Sequence, residues 1–506
     1  MTTTQAFKRL NASVVEQLNL ASKNTAQINT RKQIVHLGIG AFHRAHQAVY
    51  TQQSNWLTSD HWQIVGVSLR SATVRDQLMP QDGFYSVIET DVAGNTQSVI
   101  SVIQKVLVAP ESPADVLREM AKENSKIISL TITEKGYCQN PASGNLDLQH
   151  PDILHDLANL GAPKTAIGFL VSSLKERYEL GMLPYTVLCC DNLPSNGFTL
   201  RNIVKQFAQL IDQGLADWIG DNVPFPNTMV DRIVPATTEQ DIAELYEQAG
   251  YHDLAMVKTE RFSQWVIEDK FAAGRPLWNK VGVSLVADVE PFENAKLRML
   301  NGSHSSLAYL GYLMGFDYVH QVMQDKNLAT YLKYLMQVEI MPTIEAPPGL
   351  DLIEYSNELL QRFSNPELNH RTYQIAMDGS QKMPQRLLHT IEDKLKQSAP
   401  FDGLCFAVAG WLRYTMAFDV KGEPIEVQDP LAKELSNIQK QDVYDIDKLI
   451  DGYLNFDKVF SSTLKNSPVF RKQLTHWLNL ILVNGVETAL IMLLETTGNQ
   501  LSQSHD

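Results

Sequence analysis

The chain has 506 residues, of which 44% are apolar and 20% charged, with a formal net charge of −14. That length exceeds one ordinary core and predicts at least two domains of a globular class. Fifty-seven acids against 43 bases, with no long basic run, argue against nucleic-acid binding.

From the N-terminus, MTTTQAFKRLNASVVEQLNL is polar with scattered leucines, unlike a secretory leader. Four nearly continuous apolar runs follow at 33–40 (QIVHLGIG), 62–69 (WQIVGVSL), 126–133 (KIISLTIT) and 185–191 (YTVLCCD). Such runs suit strands of a parallel sheet buried on both faces. Between them ADVLREMAKEN and FLVSSLKERYEL read as helices, so the alternation predicts a doubly wound, Rossmann-type α/β domain over 1–290. An amphipathic stretch at 238–249 and strand-like runs through VGVSLVADVEP (281–291) close that domain.

After Pro291 helical periodicity takes over. TYLKYLMQVEIMPTI, LIEYSNELLQRF, PQRLLHTIEDKLKQ and VFRKQLTHWLNLILV predict a mostly α-helical domain over 291–506. The longest apolar stretch, LNLILVNGVETALIMLLE, is broken by Asn, Gly, Glu and Thr, which predicts a buried core helix rather than a membrane span. Cys138, Cys189, Cys190 and Cys405 show no CxxC spacing, as expected of a reducing, cytoplasmic setting.

Chemistry first shows in LGIGAFHRAH, which leaves the first strand and opens a helix. Gly38 and Gly40 are the first two glycines of a G-x-G-x-x-G turn, with Ile39 between them and Ala41 and Phe42 starting the helix. Such a turn presents peptide N–H groups to a dinucleotide pyrophosphate. His43 stands where the third glycine belongs. His43 and His46 are three apart, a spacing open to metal ligation, but no nearby carboxylate or third histidine supports it, and packing is the favoured reading. The ribose-binding acid expected about 20 residues on is absent: Ser68, Leu69, Arg70 and Ser71 occupy its place. Arg70 is either a partner for a 2′-phosphate or a solvated surface arginine, so this feature leaves NAD against NADP open.

The second cluster is KLRMLNGSH. On a helix advancing about 100° per residue, Lys296, Asn301 and His304 fall within an arc of roughly 140°, with Glu293 on the same side. Such a face at a domain boundary predicts a cleft. It suits oxidation of a secondary alcohol. A lysine takes the hydroxyl proton if burial brings its pKa towards working pH, an asparagine amide stabilises the developing alkoxide, and a histidine orients the group.

KLRMLNGSH, GIGAFHRAH, SLTITEKGY, CDNLPSNG, TMVDRIVP and AMDGSQK together resemble, in order, the signatures of the mannitol dehydrogenase family of polyol-specific long-chain dehydrogenases, over roughly 33–415. Within it, FPNTMVDRIVPA, QWVIEDKFAAGRP and RTYQIAMDGSQKMPQR most resemble the mannonate oxidoreductase (fructuronate reductase) branch. The resemblance implies Lys296 as general acid/base, Asn301 and Asn192 holding the reacting oxygen, His304 orienting substrate, and Glu293 relaying protons. It also implies Asp231 at the substrate and Thr133 and Glu134 beside the nicotinamide and ribose. NAD is the implied cofactor, no metal is required, and the family is often monomeric. An aldonate or uronate carries a carboxylate that a polyol lacks, and a buried carboxylate needs a cation. Arg371, Lys382, Arg386 and Arg413 are the candidates, with Arg371 and Lys382 favoured because they flank the AMDGS turn.

The alternatives are a tagaturonate reductase or a mannitol or arabinitol 2-dehydrogenase of the same family, a 6-phosphogluconate-type hydroxyacid dehydrogenase, and a nicotinamide-binding protein without catalysis.

Overall fold

The computed structural model describes residues 8–20, 32–91, 94–140, 143–368, 370–418, 422–442 and 445–503. The chain divides into two compact units, Met1–Glu290 and Pro291–Asp506.

The first unit is built on a five-stranded sheet with every neighbouring pair parallel. Its spatial order is Ile103–Val108, Trp62–Ser68, Lys32–Leu37, Ser125–Leu130, Thr186–Cys189. The chain starts at the middle strand, builds outward to one side, then returns to build the other. The order therefore reverses beside Lys32–Leu37, the switch point at which open α/β sheets bind ligands beyond their strand ends. Alternate residues feed two cores, because successive side chains of a strand point to opposite faces. Val35, Leu37, Val65, Val67, Ile128 and Leu130 pack with the helices Pro113–Ala121 and Ala166–Glu179. Ile34, Ile64 and Ile127 pack on the other face with Ala48 and Val49 of the helix Gln47–Asn55.

Three features of this unit fall outside the four long apolar runs, though the strand-like stretch 281–291 covers one strand of them. The edge strand Ile103–Val108 is one, and two three-stranded sheets are the others: Ser284–Val286, Gln264–Glu268, Thr228–Asp231, and Thr96–Ile100, Tyr85–Thr90, Val257–Glu260. These strands are short: Thr96–Ile100 is one-sided, with two exposed residues and one buried, whereas Thr228–Asp231 is buried throughout but carries Thr and Asp among its four residues.

The second unit is helical throughout its described core. Ser303–Leu313, Lys326–Tyr334, Leu352–Phe363 and Asp402–Thr415 meet around Leu307, Leu310, Leu332, Leu359, Phe406 and Leu412. LIEYSNELLQRF coincides with Leu352–Phe363, started by the Asp351 carboxylate accepting from the Ile353 and Glu354 N–H groups. Among the described residues three segments wind as π-helix: Lys296–Gly302, Leu335–Ile340 and Pro384–Leu388. The α-periodicity of the sequence does not announce them.

The C-terminal run departs from expectation. It forms Pro468–Gln503, kinked at Gly485 (φ 79°, ψ 166°). Leu474, Leu478, Ile481, Leu490 and Leu493 join the core, yet only 39% of its most apolar window is buried, and Val483 is 71% exposed. The reason is that apolar residues surround this helix while one face alone meets the core. Its stretch Pro468–Thr497 is long and apolar enough, by length and composition, to cross a membrane.

Candidate active site

In the sheet unit the chain leaves Lys32–Leu37 through Gly38 at φ 94°. A Cβ there would stand 2.1 Å from the Thr131 carbonyl oxygen, so both conformation and space demand glycine. A buried network holds this turn from below. The Thr131 hydroxyl donates to Gly38 O at 2.9 Å, and His36 Nε2 lies 2.9 Å from Thr131 Oγ1, with its Nδ1 2.8 Å from Ser129 Oγ.

His43, at the third glycine's position, stacks flat on His36 with centroids 3.4 Å apart and planes 17° from parallel. The third glycine of the fingerprint serves close helix–strand packing, and here a ring-on-ring stack achieves it. Burial keeps both imidazoles neutral. It lowers His36 to about 3, and it lowers His43 well below the ordinary histidine range, with the neighbouring His36 adding to the effect. His46 Nε2 bonds the Gln264 carbonyl at 3.0 Å. Among the described residues no group of three or more His, Cys, Asp or Glu is arranged to hold a metal.

A cavity of about 770 Å³ opens above the turn, within the size range of ligand sites. Of the expected cofactor residues, Gly38, Ile39, Gly40, Arg70 and Thr133 line it; Ala41, Phe42 and Glu134 do not. Ser68, Ser71, Lys135 and Lys164 line it as well.

One residue that sequence reasoning passed over shapes this rim. The Asp191 carboxylate accepts from the Ile132 N–H at 2.8 Å, the Thr133 N–H at 3.1 Å and the Tyr137 hydroxyl at 2.6 Å. Burial pushes its pKa up and these donors pull against that. They hold Thr133 at φ 66°, a conformation a β-branched residue rarely adopts. In the sequence Asp191 is the acid of CDN, beside Asn192. Asn192 itself is exposed, and Asp231 is buried at the end of Thr228–Asp231, in register with Gln264.

In the helical unit Lys296 is 8% exposed at the start of the π segment Lys296–Gly302, and Glu293 is half-buried on the preceding turn, Glu290–Ala295. A π-helix bonds residue i to i+5. The five-residue step from Lys296 to Asn301 is therefore one π turn, which places both on one face. On an α-helix the same step would leave them about 140° apart. The segment Pro384–Leu388 packs against this turn. Arg386 donates to the Asn301 carbonyl at 3.4 Å and to Ser305 Oγ at 3.0 Å, and a Cβ at Gly302 would stand 2.8 Å from Arg386 O.

His304 is 8% exposed, stacked on Phe363 at 5.1 Å and edge-on to His370 at 4.7 Å. Its Nε2 has no hydrogen-bond partner. Burial first, then His370, Arg386, Arg362 and Lys382, push its pKa well below the ordinary range, so the ring is neutral in a positive field. The Lys382 ammonium donates to the Ile375 and Met377 carbonyls at 3.3 and 2.5 Å. Arg371 is exposed, 5.5 Å over the Tyr318 ring, and directly follows His370, the ring that meets His304. Arg413 donates to the Phe418 carbonyl. Arg362, buried at the end of Leu352–Phe363, takes a place the sequence did not suggest.

Residues 32–280 match the mannitol dehydrogenase Rossmann domain and residues 288–482 the mannitol dehydrogenase C-terminal domain. The chain belongs to the mannitol dehydrogenase family. It is an oxidoreductase of that family, with the Rossmann match in the sheet unit and the C-terminal match in the helical one. Its relatives include the D-mannonate oxidoreductase of Escherichia coli strain K12, 45% identical over 442 residues, covering 86% of this chain and 90% of that protein. The mannitol 2-dehydrogenase of Aspergillus fumigatus is 40% identical over 500 residues, covering 95% and 98%. Among solved structures, the Pseudomonas fluorescens mannitol 2-dehydrogenase in ternary complex with NAD and D-mannitol superposes with a TM-score of 0.86 at 36% identity, covering 96% and 99%. Mannitol dehydrogenase relatives of similar identity thus bear names with different substrates, and the choice rests on the residues of this chain.

Proposed function

We propose that the protein reduces the ketone of D-fructuronate to the secondary alcohol of D-mannonate, and runs the reverse reaction, with NAD(H). The observation that supports a sugar acid over a polyol is His304: a buried imidazole with an unbonded Nε2, under the positive charges of Arg362, Lys382 and Arg386. A carboxylate entering that positive field gains charge-assisted hydrogen bonds that a neutral polyol does not. Lys382 and Arg371 remain the favoured carboxylate partners, with Arg386 and Arg362 as further cations acting on His304.

The dinucleotide, when bound, supplies the hydride to the carbonyl carbon, and the Gly38–Gly40 turn and Thr133 are the groups that would hold it. Lys296 Nζ gives the proton to the carbonyl oxygen and is left as the amine. The Asn301 and Asn192 amides donate to that oxygen as negative charge develops. Neutral His304 donates or accepts at a substrate hydroxyl without competing for the proton. Glu293 passes the replacement proton to Lys296, and Asp231 holds a substrate hydroxyl. Four free, buried cysteines suit a reducing, cytoplasmic compartment.

The test is nicotinamide absorbance with purified protein against fructuronate, tagaturonate and fructose. Fructuronate should give the highest kcat/KM. Lys382→Met should raise KM for the uronate by an amount equivalent to about 2–5 kcal/mol and change any turnover of fructose little. Preference for fructose would move the protein to the mannitol reading, which the D-mannitol complex of the structural neighbour favours.

A further inference from the structure

The strand Trp62–Ser68 runs out into Ser68-Leu69-Arg70-Ser71, and all four residues line the cavity above the Gly38 turn. In a doubly wound sheet this strand end receives the adenosine ribose. A carboxylate there bonds the free ribose hydroxyl, while an arginine accommodates a 2′-phosphate. No carboxylate occupies these four positions. They offer two hydroxyls and a guanidinium, all able to donate to a phosphate dianion.

The nearby arginines differ. Arg75 is taken up by Asp76 and Glu111. Arg70 is exposed and forms no ion pair among the described residues. Around the rest of the cavity the charged side chains are Lys135, Lys164 and Asp152, with Asp152 already 3.9 Å from Lys164. Three cations face one carboxylate in a protein whose overall charge is −14. A local excess of this sign, against the field of the whole molecule, favours a ligand more anionic than a dinucleotide with a free 2′-hydroxyl.

We propose that this cavity accepts a nicotinamide dinucleotide carrying a 2′-phosphate, with Arg70 as the phosphate's partner and Ser68 and Ser71 as further donors, so that the enzyme uses NADP(H) as well as NAD(H). The inference rests on the dinucleotide reading of the same cavity. It deepens that reading by naming the strand end that fails to select against the phosphate.

Calorimetric titration of the full chain with adenosine 2′,5′-bisphosphate and with adenosine 5′-monophosphate separates the two claims, because the ligands differ only in the 2′-phosphate. The bisphosphate should bind about 10- to 100-fold tighter at low salt, as a charged hydrogen-bonded contact gives, and the gain should shrink as salt screens it. Arg70→Ala should erase the difference between the ligands and Arg70→Lys should keep part of it. Equal or weaker binding of the bisphosphate to the wild-type chain overturns the inference alone. Failure of the monophosphate and the bisphosphate alike overturns it together with the dinucleotide reading. Arg70 is exposed and unpaired, so its variants should fold, which circular dichroism checks.

Discussion

In the sheet unit the groups presented to ligand are largely backbone. Gly38 opens the turn, strand ends supply the rim, and the loop after Ser125–Leu130 is pinned by Asp191. In the helical unit they are side chains, carried by π turns whose spacing brings Lys296 and Asn301 onto one face. The first kind of site has steric tolerances and the second chemical ones. A single added methyl group should break the first, and removal of a functional group the second.

The largest effect should follow Lys296→Ala. General acid–base catalysis supplies about 10²–10⁴-fold, and lost positioning adds to it. Turnover should fall by at least that range while dinucleotide affinity, measured by fluorescence titration, stays unchanged, since the role assigned to Lys296 is proton transfer and not cofactor binding. Near-normal turnover would remove Lys296 from the mechanism. In the oxidation direction wild-type turnover should rise with pH, because the amine form is the base.

A matched pair of glycines sharpens the contrast. Gly38→Ala meets both a φ of 94° and an oxygen 2.1 Å from the new Cβ. It should cost roughly 2–5 kcal/mol of stability and weaken dinucleotide binding. Gly302→Ala has helical backbone and meets Arg386 O at 2.8 Å. Overpacking there should cost about 1–3 kcal/mol and lower kcat by displacing Asn301, with dinucleotide affinity intact. Denaturant titration and ligand titration of both variants check this; a Gly302 variant that loses affinity rather than kcat would contradict the division of labour.

The same contrast explains what the sequence disclosed. The four buried parallel strands were legible because a strand covered on both faces leaves a continuous apolar run, and Gly38 because few turns place glycines that way. The π segments were not. A pattern read at α spacing sees Lys296, Asn301 and His304 spread over an arc, and only the i to i+5 geometry explains why lysine and asparagine stand five apart. Asp191 was hidden because its partners, two peptide N–H groups and the Tyr137 hydroxyl, are distant in the chain. Arg362 was hidden because an arginine closing an amphipathic helix reads as a solvated residue, and its burial comes from neighbours distant in the chain.

The smallest expected effect concerns acid, and it turns on one buried group in each unit. His36 is held down to about 3 by desolvation. Its unfolded value is near 6.5, so below that pH the unfolded chain binds a proton that the folded sheet unit refuses. Its contribution is intact above 6.5 and is lost as pH falls. Glu339 is the opposite case. Burial raises it to about 7, against the pull of the Gly403 and Leu404 N–H groups and the Tyr334 hydroxyl. The folded helical unit keeps a proton that the unfolded chain has released, so its contribution is full below about 4.5 and is lost as pH rises through 7. At about 1.4 kcal/mol per pH unit for each proton, both effects amount to roughly 2 kcal/mol between pH 6.5 and 5, with opposite sign. His36→Gln should therefore lessen the acid sensitivity of the sheet unit, and Glu339→Gln should increase that of the helical unit. Hydrogen exchange of Lys32–Leu37 and of Asp402–Thr415, each variant compared with itself at the two pH values, isolates the proton from the cost of the substitution. Shifts of the same sign in the two variants would show that the buried imidazole and the buried carboxyl are not in these protonation states.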